Sequence, residues 1–136
     1  MRTAPSDKQI LLAQASYDRC QQAPGFYRRF YERFLASAPE IPGYFSNTKF
    51  DKQDRLLEHG ILSLLIYARR GNPALLARIA ERHGPNGLSI PARLFPGFVT
   101  SFLATVQECD PGCDQATLDA WAAALEPGIA LISGSA

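Results

Sequence analysis

The chain reads as an all-α fold. Apolar residues recur at every third or fourth position almost from end to end, and no alternating run is bounded by Asn-Gly or Asp-Gly turns. Each periodic stretch stops at proline or glycine. With 136 residues, 46% of them apolar, there is room for a single core, and no linker is long enough to separate a second. Residues 1–136 are therefore expected to form a single domain of six or seven helices.

Ser6 is placed to cap a first helix through Ile10, Leu11, Ala13 and Tyr17, with Asp7 near the positive end of its dipole. Pro24 and Gly25 break it. Phe26 to Ala36 makes a second helix, with Phe26, Tyr27, Phe30, Tyr31 and Phe34 crowding one side. In "SAPEIPGYF" the prolines at 39 and 42 are too close for a regular helix, so a short turn is expected to deliver Tyr44 and Phe45 to the core. A long helix from Phe50 to Arg70 should bury Leu56, Leu57, Ile61, Leu64, Leu65 and Ala68, and Gly71, Asn72 and Pro73 end it. A short helix through Leu75, Leu76 and Ile79 finishes at His83. Pro91 to Glu108 forms the next, through Leu94, Phe95, Phe98, Phe102 and Val106. The last runs from Asp114 to Ile132 past Trp121 and Leu125, with Pro127 expected to bend it late.

Composition removes several functions. A net charge of +1, from 14 basic and 13 acidic residues spread along the chain, gives no field to gather nucleic acid. No apolar run reaches the roughly 18 residues that span a bilayer, and "MRTAPSDKQ" lacks the apolar middle of a signal peptide, so no membrane insertion and a cytoplasmic location are expected. Cys20, Cys109 and Cys113 cannot all pair, which fits free thiols in a reducing compartment. The "CDPGC" at 109–113 lacks the two further ligands a structural zinc needs and reads as a turn.

One of only two histidines, His83, ends an apolar helical stripe where another leucine would be expected. Two readings are open for it. Either it is a core histidine whose nitrogens are satisfied by backbone, or it is aimed at something that needs a nitrogen ligand.

The stretches "FYERFLASAPEIPGYF" at 30–45, "RIAERH" ending the short helix, "IPARLFPGF" at 90–98 and "LDAW" at 118–121, in that order and spacing, resemble the globin family. The likeness is to single-domain bacterial haemoglobins and the haem domain of flavohaemoglobins, from about Asp7 to Ile132. It implies a globin fold around haem b, iron protoporphyrin IX. His83 takes the place of the proximal iron ligand, with Ile79 before it packing the same porphyrin face, and Phe45 that of the phenylalanine wedged against the ring. Tyr31 matches the distal tyrosine, whose phenol can donate to a partly charged dioxygen.

Two registers of the long helix stay open. Counting without gaps from Phe45 puts Lys52 at the distal gate and Leu56 over the iron. A shift by one puts Gln53 and Leu57 there but turns Asp54 and Glu58 inward, which is poor without partners. His59 can line the pocket edge or face solvent. Phe95 stands where the family often carries a proximal tyrosine, which weakens the case for fast oxidative chemistry.

The resemblance implies reversible binding of dioxygen, NO or CO at ferrous iron, for oxygen delivery or for nitric oxide removal. The chain carries no flavin or nicotinamide domain, so turnover as a nitric oxide dioxygenase would need a separate reductase. The alternatives are a gas or redox sensor or interaction module on the same fold, and a helical protein with a buried histidine and no cofactor.

Overall fold

In the computed structural model, residues 4–45, 49–83 and 91–134 are described, except for the side chains of Phe50, Asp51, Leu75, Glu81, Arg82 and His83. Among them the chain makes seven α-helices and no strand. Helix α1 (Asp7–Gln21) starts in a capping box: Ser6 Oγ accepts from the Gln9 N–H at 3.1 Å and Gln9 Oε1 from the Ser6 N–H at 3.0 Å. Gly25 takes a left-handed φ of 71° that a side chain would resist, and so redirects the chain into α2 (Phe26–Ala36).

The segment expected as an irregular turn contains one turn of helix, α3 (Ile41–Tyr44). Pro42 sits in that first turn, where its missing N–H has no helical acceptor to lose. Ile41 takes the buried place, at 1% exposure, while Tyr44 and Phe45 are only half-buried.

Helix α4 (Phe50–Arg70) ends at Gly71, again with φ 71°, and Asn72 Oδ1 accepts from the Ala74 N–H at 3.0 Å to start α5 (Ala74–His83). The next helix is shorter than its apolar spacing predicts. Ala92–Leu94 form a single tighter 3-10 turn, and α6 (Phe95–Cys109) begins only where Pro96 falls in its first turn. Helix α7 (Gln115–Ser133), capped by Asp114, continues through Pro127.

Helix α7 lies against α1, α4, α5 and α6, and the core gathers around it. Trp121 is fully buried between Phe102, centroids 4.9 Å apart, and Tyr17, 6.1 Å away, both edge-on. At Gly128 a Cβ would overlap Leu64 of α4 and crowd Leu76 of α5 at 3.2 Å, so glycine lets three helices meet there. Three expected core positions are corrected. Leu11 and Leu56 are 57% and 46% exposed and Ala68 is half-buried. Leu11 and Leu56 are each turned about 100° from a buried neighbour, Ile10 and Leu57, and so face away from the core, while Ala68 falls in the last turns of α4.

Between α6 and α7 the CDPGC turn is held by its own acid. Asp110, buried, accepts from Arg19 Nε at 2.5 Å and Nη2 at 3.0 Å, from Ser16 Oγ at 2.7 Å and from the Gly112 N–H at 2.8 Å. Burial alone would raise its pKa, but Arg19, Ser16 and Gly112 together outweigh that and hold the carboxyl below its ordinary value. Cys20 nearby is wholly buried, and burial, with the Asp110 charge second, pushes its thiol up to about 12. It stays protonated and unreactive at neutral pH.

Candidate functional site

The opposite end of the helical core encloses a cavity of about 700 Å³, walled by α2, α4, α5 and α6 with α7 at its floor. That is within the roughly 300–1,000 Å³ of small-molecule and cofactor sites. The walls are mainly apolar: Phe45, Leu57, Ile79, Phe95 and Phe98, with Ile129 and Ile132 beneath. A flat apolar group is what such surfaces can cover.

Deep among the described lining residues, a hydrogen-bonded polar pair, Tyr31 and Gln53, interrupts the apolar surface. Tyr31 is 3% exposed, its ring set edge-on to Phe30 at 5.1 Å and Phe45 at 5.7 Å, which fixes where its hydroxyl points. That oxygen accepts from Gln53 Nε2 at 3.0 Å and donates to the Gln53 carbonyl at a long 3.4 Å. Burial raises the phenol pKa and the Gln53 bond offsets only part of this, so the group remains an O–H donor at neutral pH. The long bond is the weaker one and the easier to exchange for a better acceptor.

The two helix registers meet different fates in this geometry. Gln53 lines the cavity and reaches Tyr31, whereas Lys52 is exposed and absent from the lining; the 100° turn between neighbours aims it outward. Leu56 and Leu57 both line the cavity, Leu57 buried and Leu56 at its mouth. The inward turn of Glu58 has a partner: Tyr27 Oη donates to Glu58 Oε2 at 3.4 Å and shares a 2.8 Å bond with Tyr17 Oη.

Position 83 is the last of α5, and its side chain lies outside the described residues. Ile79, one helical turn earlier on the same row, faces the cavity. Phe95 contributes an apolar ring and no hydroxyl, and two exposed residues, His59 and Arg78, also line the cavity. Sequence reasoning missed Arg78, Ile41 and the α7 floor. Ile129 and Ile132 continue the stripe from Leu125 at helical spacing and carried that signal.

No family model and no curated protein matches the chain. Among solved structures, a crystal structure of a protein from Pseudomonas aeruginosa PAO1, described as structurally highly homologous to a human hemoglobin, is similar with a TM-score of 0.90. The two are 35% identical over 93% of this chain and 97% of that one. The likeness therefore holds in both the helical fold and the sequence. The chain belongs to the globin family.

Proposed function

We propose that residues 1–136 act as one haem-binding globin domain that takes dioxygen, and other diatomic gases such as NO and CO, reversibly at ferrous iron. The observation that carries this reading is the buried Tyr31 phenol, bonded to half-buried Gln53, in a mainly apolar cavity. A cavity serving only to bind an apolar molecule has no use for a desolvated phenol, whereas a partly charged dioxygen needs such a donor. Haem b would supply the ferrous iron. His83 would be its protein ligand, and Phe45, Leu57, Ile79 and Phe95 would pack the macrocycle, with Leu56 at the cavity mouth. Tyr31 would offer the gas the O–H it now gives to the Gln53 backbone carbonyl, while Gln53 Nε2 steadies the phenol oxygen. Lys52 stays outside the pocket. Phe95, which brings no hydroxyl to strengthen the histidine, favours carriage of dioxygen over rapid nitric oxide conversion, and any turnover draws electrons from a separate reductase. Free thiols fit work in the cytoplasm.

The purified protein should show the strong porphyrin absorbance band and a five-coordinate, histidine-ligated ferrous spectrum. His83→Ala should lose most of the haem or hold it loosely, because the one proposed protein bond to iron is gone while the apolar walls remain. Retention of the histidine-ligated spectrum in that variant would sink the assignment and move the ligand to His59.

A further inference from the structure

Helix α4 has a second face that the cavity uses only at Leu56 and His59. Positions 52, 55, 56, 59, 62, 66 and 70 share it at helical spacing, and every one is exposed. Down its length, ~27 Å at 1.5 Å per residue, lie Leu56, Leu62 and Ile66, three of the four large apolar side chains exposed among the described residues. Lys52 and Arg55 flank them at one end and Arg70 at the other, with His59 between. None of these exposed positions is acidic. Of the acids on α4 whose side chains are described, Asp54 is half-buried and Glu58 is turned towards Tyr27. In a chain of net charge +1 this is a local concentration of positive charge around an apolar strip. It is also continuous with the cavity, since Leu56 and His59 belong to both, and exposed Arg78 of α5 lines the cavity too.

We propose that this face of α4 is the docking surface for an acidic electron-transfer protein, the donor that keeps the iron ferrous. The docking stands on the surface itself; its purpose rests on the haem reading above. In each encounter the donor's reduced flavin or iron–sulfur group loses one electron and ferric iron gains it, with no bond made or broken. Charge selects the occupant. A second copy of this chain would set cations against cations. A bilayer would need deep apolar insertion, yet Leu56, Leu62 and Ile66 are only 46%, 42% and 40% exposed, their remainder already covered by the fold. A shallow apolar strip with a charged rim suits a brief protein encounter at the small end of interface sizes.

The test adds an acidic flavodoxin and an acidic [2Fe–2S] ferredoxin separately to the isotopically labelled holoprotein and follows the backbone amide signals. At low ionic strength, shifts should concentrate on residues 52–70 and around Arg78, and should fade as salt is added. Arg55→Glu with Arg70→Glu should weaken binding at least about tenfold, and Leu62→Ser with Ile66→Ser by several-fold. The four side chains are exposed, so unchanged helical circular dichroism separates lost docking from lost folding. Neither acidic protein shifting α4, shifts elsewhere, or indifference to all four substitutions would overturn the proposal. So would sedimentation with phosphatidylglycerol vesicles or self-association through α4, which would give the face to a membrane or a second copy. Docking by a chain that takes up no haem would leave this surface standing and remove the reading of the cavity instead.

Discussion

The two ends of the helical core are finished differently. Around Asp110 each carboxylate oxygen has a donor from Arg19, Ser16 or Gly112, and the neighbouring thiol of Cys20 is sealed and protonated. Around the cavity, rings and branched side chains face about 700 Å³ of space, and the one buried phenol keeps a bond of 3.4 Å that it could readily trade. The first end is complete by its own contacts. The second is lined mainly by apolar side chains around that space, with the phenol held by Gln53.

Removing haem should break this contrast most strongly. A ligand bound only by the folded state stabilises it by about 4 kcal/mol when present at a thousandfold its Kd. The haem-free protein should therefore melt well below the loaded form, with amide exchange rising first in α4 and α5 while the α1–α6–α7 end stays protected. Equal melting temperatures for the two forms would mean that the cavity end is as self-sufficient as the other.

Tyr31→Phe sharpens the comparison at the scale of one hydrogen bond. A bond to a partly charged acceptor is worth about 1.5–3 kcal/mol, so dioxygen release should speed up by about ten- to a hundredfold. Carbon monoxide, a poorer acceptor, should respond far less. Gln53→Leu should move dioxygen release in the same direction and Lys52→Leu should leave it nearly alone. A full effect at Lys52 with silence at Gln53 would show that the distal side is built in the other register.

The smallest effect belongs to the completed end. Asp110→Asn removes the charge from a set of charge-assisted bonds and should cost about 1–3 kcal/mol in chemical denaturation. The folded pKa of Asp110 lies below its unfolded value, so its contribution is present in full above the ordinary carboxylate pKa of about 4 and is lost as pH falls through the folded value. The parent should lose stability over that acid window, and the variant's profile should be flatter there while its gas binding is unchanged. An identical acid slope in both would assign the loss to other carboxylates.

Helix boundaries are plain in the sequence wherever a cap or stop is local. Ser6 with Gln9, Gly25, Gly71 and Asp114 each act within three residues of the backbone they control. Pro42 and Pro96 mislead because a proline stops a helix in its middle but opens one in its first turn, and spacing alone does not say which. Leu56 looks like core by periodicity. Its exposure depends on which face of α4 the other helices cover, a tertiary matter. The Tyr31–Gln53 contact is legible only to within one residue, since a one-residue shift turns a helix by 100°, and Tyr27, the partner that makes Glu58 tolerable inside, lies 31 residues away. The Arg19–Asp110 clamp, across 91 residues, has no sequence signal at all.

The single tryptophan of this chain has an optical consequence. Trp121 sits in the dry core against Phe102 and Tyr17, shielded from water and outside the cavity lining. Its emission should be blue-shifted and free of competing indoles, and a porphyrin loaded a few side chains away would accept its excitation energy and darken it. The fluorescence of this one indole therefore meters occupancy of the cavity from inside the molecule, with no label and no substitution.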